Sequence, residues 1–378
     1  MKIKEIPKDF IVEEIINLDN LKNKNENKKD YFYFLLKKTN YSQMRAIEKI
    51  AKILNTSRKV INFAGTKDKV GITSQVISIY NLKEENLQKN INFLNSDIPD
   101  LELKFLGKFK GRINLGDNEG NKFKITVRDL EEKEILNAKN KLKEINKKGI
   151  LNYFESQRFG YANNSHIIGK YILQNKPELA VFEILTSCPK KPTEDIEKYT
   201  TFIKENKDEI IKQNNEILEE IKKIIPKFLE SDLKIINHLY KYKNDFYGAF
   251  RTIPKKIRTL YINAYQSFLF NEILNNITTL PEELELFNSE TKFENPEIQK
   301  LILNLLEKDN LKQKDFELKI TPELKLKTAY RKTKIYPKNL VFNKKYNDEL
   351  NENKFKILIE FDLNSGEYAT NIIKQLFI

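Results

Sequence analysis

Strand-like alternation of apolar residues occurs near both ends of this 378-residue chain, while helical patterning fills its middle. In Asn121–Arg128 the apolar positions Phe123, Ile125 and Val127 share one face. In Lys354–Asp362 Phe355, Ile357, Ile359 and Phe361 fall on one face and Lys354, Lys356 and Glu360 on the other, with Leu358 the exception. From about Glu178 to about Leu306 the pattern is helical with few strand signals. Glu194–Ile225 reads as one long stretch that Pro226 ends, and Lys256–Asn276 has apolar residues on several faces, which predicts burial. Strands at both ends with helices between imply one α+β domain interrupted by an inserted, mostly helical domain.

The remaining segments fit that arrangement. Phe10-Ile11-Val12 is a short apolar run, and Tyr31–Leu36 is aromatic and apolar throughout, so both read as strands. Ser42 can cap a helix in which Met44, Ile47, Ile50, Ala51 and Leu54 recur mostly at spacings of three and four. Lys59–Phe63 and Gln75–Tyr80 read as short strands, Glu131–Asn146 as a charged surface helix, and Gly149–Gly160 as an aromatic loop. The polar run Lys22–Asp30 reads as an exposed loop joining two strands.

Composition narrows the function classes. One cysteine, Cys188, excludes a disulfide framework and a cysteine-cluster metal site, and reads as a small buried hydrophobe. His166 and His238 stand far apart in no ligand pattern, which predicts no metal and a structural or exposed role for each. No apolar run approaches the ~18–20 residues of a membrane span, and the first residues lack the apolar core of a signal peptide. The expectation is a cytoplasmic protein. A net charge of +13 and a pI of about 9.2 point to a polyanion, with nucleic acid first. Richness in Lys, Asn and Ile also follows from AT-rich coding, so the charge supports that reading without proving it.

The run Phe63–Gln75 carries the sharpest chemical signal. Asp68 lies between Lys67 and Lys69, behind Gly65 and ahead of a strand-like segment. Flanking cations favour the charged carboxylate. Such a group in a cleft is a candidate nucleophile or base, although Gly-Thr-Lys-Asp-Lys is by itself ordinary turn chemistry.

Several segments, taken in order, resemble the TruD family of tRNA pseudouridine synthases. Pro7–Glu14 resembles P-x-D-F-x-V-x-E, and Phe63–Gln75 resembles A-G-x-K-D-K-x-A-x-T-x-Q. Gly120–Phe123 with Val127-Arg128 resembles a G-N-x-F…R strand, and Asn152–Gly160 resembles N-Y-F-G-x-Q-R-F-G. Ala264–Asn271 resembles A-x-Q-S-x-L-F-N, and Phe361–Thr370 resembles F-x-L-P-x-G-x-Y-A-T. Three positions depart from these patterns. Gly71 replaces Ala and Asn364 replaces Pro. Glu155 replaces Gly, which either puts an acid beside the pocket or means that the loop needs no positive φ there.

The resemblance implies a pseudouridine synthase-type catalytic domain with an antiparallel sheet, residues 1–161 plus 336–378, interrupted by a TRUD domain, residues 162–335. It implies an isomerase that acts on the uridine at position 13 of tRNA without metal or cofactor; oligomeric state is not readable from the sequence, and monomer is the default expectation. Asp68 would be the catalytic carboxylate, attacking the sugar or the base or taking a sugar proton. Lys4 would lie near it, Phe154 would contact the target base, and Asn152 would hydrogen-bond a base edge or hold the loop. Lys67 would hold a phosphate or pair with Asp68. As a plain structural reading, Phe154 is a core residue, Asn152 a turn cap, and each lysine solvated. Thr73 and Gln75 serve the following strand, Arg128 and Arg158 grip phosphate or form surface ion pairs, and Gln266–Asn271 is helix packing. The helical insertion would form a lysine-lined cleft with the catalytic domain. Two rivals are a catalytically silent RNA-binding protein on the same fold and a phosphotransferase using Gly65-Thr66-Lys67, although the latter lacks the glycine-lysine-serine/threonine loop it needs.

Overall fold

The computed structural model describes residues 1–19 and 29–377. Residues 22–28 of the polar run, expected to be an exposed loop, lie outside the described residues. The chain forms two compact units, Met1–Ile150 with Ile335–Ile378, and Leu151–Lys334. The first crossing thus falls before the aromatic loop and not after residue 161. Asn152 explains why: its N–H donates to the Thr333 carbonyl at 2.8 Å, which ties that loop to the second unit.

The first unit is built on an eight-stranded sheet. Its strands are β1 (Phe10–Ile15), β2 (Asp30–Thr39), β3 (Ile61–Phe63), β4 (Ile72–Tyr80), β5 (Leu101–Lys110), β6 (Gly120–Leu130), β7 (Lys338–Asn347) and β8 (Phe355–Asn364). The order is β7-β8-β6-β1-β4-β2-β5, with β3 on β4. The pairing is antiparallel, as expected, except that β1 and β4 run parallel through Ile11↔Ile72 to Glu13↔Ser74. The predicted alternation in β6 and β8 is present: Phe123, Ile125 and Val127 are buried with Ile357, Ile359 and Phe361.

Two core clusters pack the sheet against helices. One joins β1, β6 and β8 to α3 (Glu132–Lys148) and to the final helix Ala369–Phe377. The other joins β2–β5 to α1 (Gln43–Ile53) and α2 (Leu87–Asp97). Ser42 caps α1 by accepting from the Arg45 N–H, and α1 buries Ala46, Ile47, Ile50 and Ala51 but leaves Met44 exposed.

One edge of β4 changes neighbour along its length. β1 covers Ile72–Ser74, and β3 covers Ile77–Ile79. Between them the Val76 N–H donates to the Glu14 carboxylate at 3.1 Å, so a side chain takes the place of a missing strand partner.

The second unit is mostly helical, with a short antiparallel pair, Glu283–Glu285 with Tyr330–Lys332. The long stretch predicted over Glu194–Ile225 is three helices, Glu194–Glu205, Lys207–Ile211 and Asn215–Ile224. Asn214 causes the second break, accepting the Glu216 N–H as a helix cap after Gln213 turns to φ 56°. The helix Lys255–Asn276 is buried along much of its length, as its apolar faces predict, with Ile262, Ala264, Leu269, Phe270 and Ile273 inside. Cys188 is only partly buried. Among the described residues no helix is long and apolar enough to cross a membrane.

Candidate active site

The Asp68 loop joins β3 to β4 and is pinned at several points. The Gln75 side-chain amide donates to the Gly65 carbonyl at 3.2 Å. At the far end the Gly71 N–H donates to Asn40 Oδ1 at 2.9 Å, and the Asn40 N–H donates to the Gly71 carbonyl at 2.9 Å. Gly71 adopts φ 109°, and an added Cβ would meet the Phe10 carbonyl oxygen at 2.3 Å. The departure from alanine is therefore required by this loop's path.

Asp68 keeps 43% of its side chain exposed, and its Oδ2 accepts from Lys4 Nζ at 3.1 Å. Lys4 occupies the left-handed region at φ 63°, where residues other than glycine are uncommon. Its ammonium lies 3.8 Å from the Phe10 ring centroid. A strained backbone that delivers a cation to a partly exposed carboxylate is a feature typical of functional sites. Lys4 is thus beside Asp68, as the resemblance implies, and is not freely solvated.

Lys67 is placed differently from either predicted role. Its Nζ lies 2.6 Å from Glu14 Oε1, with the two side chains 6% and 0% exposed. The two form a buried ion pair. Lys67 neither pairs with Asp68 nor is solvated; it ties the loop to β1.

In the second unit Asn152 and Phe154 belong to one clamped loop. Asn152 donates its side-chain amide to the Lys332 carbonyl at 2.9 Å. Asn271 grips the Phe154 backbone from both sides, accepting its N–H at 2.8 Å and donating to its carbonyl at 2.9 Å. Arg331 donates to the Asn152 carbonyl at 3.1 Å and to the Asn152 side-chain oxygen, and its guanidinium lies 4.0 Å from the Phe154 ring centroid. Phe270 packs edge-on at 5.4 Å. Glu155 adopts φ −83° and ψ 167°, so of the two accounts of its departure from glycine the structure has the loop that needs no positive φ.

The two arginines considered for phosphate have other partners. Arg128 is 2% exposed and bonds Asp9 at 2.9 Å, Asp348 at 2.7 Å and Glu349 at 3.0 Å, a buried network and not a surface pair. Burial pulls its pKa down, but the bonds to Glu349, Asp348 and Asp9 outweigh this and the net shift is upward. Arg158 donates to the Ser267 hydroxyl at 2.9 Å and lies 5.2 Å from the Phe154 ring centroid. Asn271 does more than pack its helix, while Gln266 donates to the Phe287 carbonyl. His166 stacks on Phe268 at 5.2 Å, and burial pulls its pKa below the ordinary value.

Sequence reasoning assigned no site role to Lys38, Glu14 or Arg331. The first two carried a usable signal: the period-two rows Phe32-Phe34-Leu36 and Phe10-Val12 continue inward to Lys38 and Glu14. Arg331 carried none.

The family model of tRNA pseudouridine synthase D (TruD) matches residues 1–284 and 277–376. The chain belongs to the TruD family. Among its relatives, "Probable tRNA pseudouridine synthase D 2" of Methanocaldococcus jannaschii is 33% identical, the match covering 100% of this chain and 92% of the relative. "Probable tRNA pseudouridine synthase D 1" of Methanococcus maripaludis is 30% identical over 100% of this chain and 99% of its own. A crystal structure from Methanosarcina mazei that bears the TruD name superposes with a TM-score of 0.79 at 24% identity, covering 100% of this chain and 93% of that one, and shows the shared fold.

Proposed function

We propose that this TruD-family chain is a tRNA pseudouridine synthase that isomerises uridine, at position 13 of tRNA, with Asp68 as the reacting carboxylate. The observation that carries the assignment is the partly exposed Asp68 carboxylate, held by Lys4 on a loop pinned at both ends. The reaction breaks the N-glycosidic bond, turns the base and rejoins it through carbon, so no atom is gained or lost. Attack on the sugar, attack on the base and removal of a sugar proton each need an ionised carboxylate. Lys4 holds the carboxylate in position at 3.1 Å, and Lys67 holds the loop through Glu14.

The target nucleoside must leave its stack, at a cost of a few kcal/mol. Phe154, fixed by Asn271 and Arg331, is the ring for the target base, while Asn152, 3% exposed with its amide bonded to the Lys332 carbonyl and to Arg331, holds the loop. The same reading makes the chain a cytoplasmic monomer whose partner is tRNA, acting without metal or cofactor. The net charge of +13 suits the phosphate backbone.

Incubation with unmodified tRNA, followed by mapping of pseudouridine by nucleotide, tests the assignment. The wild type forms it at one position and Asp68→Asn forms none while still holding tRNA. A wild-type protein that binds tRNA and leaves every uridine unchanged would be the silent RNA-binding protein on this fold.

A further inference from the structure

Lys38 is buried in an unusual way. The inward row of β2 runs Phe32, Phe34, Leu36 and then Lys38, which is 1% exposed. Its neighbour Lys37 is open to solvent and pairs with Glu102 at 3.1 Å. Lysines are rarely buried unless they have an acidic partner. The Lys38 ammonium instead hydrogen-bonds a neutral group, the backbone carbonyl of Asp68. Burying that charge costs stability that an apolar side chain would not cost. Two residues along, Asn40 binds Gly71, so the end of β2 holds both ends of the Asp68–Gly71 segment.

From this geometry we infer that Lys38 is a positioning residue for Asp68: its buried ammonium, anchored on the Asp68 carbonyl, fixes the loop and places a second cation beside the carboxylate. The inference rests on Asp68 being the reacting group. Its chemistry is specific. Burial pulls the Lys38 pKa down to about 8, Asp68 pulls it up, and Lys67 pushes it down. Lys67 is itself paired with Glu14 and Asp68 with Lys4, and the cross-strand partners Thr73 and Leu101 are uncharged.

Lys38 therefore loses its charge as pH rises through about 8, before an ordinary lysine does. Because its folded pKa lies below its unfolded value, the unfolded chain binds more protons in that window. Its contribution to folding stability then rises with pH from about 8 to about 10. Catalysis should move the opposite way, since the loop loses a cation and a charged anchor. A lysine that served folding alone would give no such opposition.

The test is single-turnover pseudouridine formation in unmodified tRNA, with tRNA affinity and thermal stability measured on the same proteins. Asp68→Asn should be inactive. Lys38→Met should turn over at least about tenfold more slowly with tRNA affinity within about twofold of wild type. The wild-type rate should fall as pH rises through about 8, and this fall should be missing from the residual rate of Lys38→Met. Lys37→Met should match wild type. If Asp68→Asn stays active, the Asp68 reading fails and takes this inference with it. If Asp68→Asn is inactive while Lys38→Met turns over normally, or shows the same fall above pH 8, the role of Lys38 is overturned and that of Asp68 stands. Should Lys38→Met not fold, Lys38→Gln and the wild-type profile decide: a flat wild-type rate through that range overturns the inference.

Discussion

Lys67 and Glu14 meet at 2.6 Å where β4 exchanges one neighbouring strand for another, and both side chains are buried. Glu14 satisfies the Val76 N–H with one oxygen and the Lys67 charge with the other. Removing one member leaves a buried charge without a partner. Glu14→Gln should therefore lower unfolding stability by about 3–5 kcal/mol, read by denaturant titration. Adding Lys67→Met to it should recover part of that loss, because the orphaned charge is gone.

The Arg128 network gives an acid-sensitive contribution. Burial pushes the Asp348 pKa up, but bonds from the Asp129 and Leu350 N–H groups, Asn351 and Arg128 outweigh it, and the net shift is downward. A carboxyl with a depressed folded pKa contributes stability that is complete above its unfolded value, ~3.9, and is lost as pH falls through the folded one. Asp348→Asn should cost about 3 kcal/mol or more at neutral pH. The gap between variant and wild type should narrow below about pH 4 in acid unfolding curves.

Asp232 behaves in the opposite sense. It accepts from the Tyr199 hydroxyl at 3.0 Å, and burial raises its pKa to about 6, against a smaller lowering by that bond. The protonated form is the one the fold favours. Its contribution is complete below ~3.9 and is lost as pH rises through about 6. Asp232→Asn keeps an acceptor for Tyr199 and removes the buried charge. It should raise stability at pH 7.5 by about 2 kcal/mol and have little effect at pH 4, measured as thermal midpoints at the two pH values.

Arg331 makes planar contacts that a lysine cannot copy. Arg331→Lys keeps the charge and loses the fork that spans Asn152 and the Phe154 ring. Turnover should drop about tenfold while tRNA affinity changes by less than about threefold, seen by comparing single-turnover rates with binding curves. Affinity in wild type and variant alike should fall steeply and in parallel as salt rises, since phosphate contacts dominate it.

The frame of the fold was legible because β6 and β8 write their burial in period two, and because Ser42 marks a helix start with its own hydroxyl. The Asp68 loop was legible as a motif. Its supports were less so. Lys37 and Lys38 look alike in sequence, yet one is in solvent and the other is inside, and only the register of Phe32, Phe34 and Leu36 tells them apart. The break at Gln213-Asn214 was missed because polar residues are common throughout Glu194–Ile225, so two more did not stand out as a cap. Arg331 contacts residues about 180 positions away in the chain, a distance over which no local pattern operates.

The β6 strand is flanked by β1, made first, and by β8, which begins at Phe355. A ribosome therefore releases Asp68 long before it releases the strand that covers β6's far side. Nascent chains cut short between residues 72 and 354 contain every residue of the Asp68 loop and still lack a finished sheet to mount it on. Synthesis must pass Asn364 before the sheet can close, so chains terminated between the Asp68 loop and that strand should leave no partly active fragment.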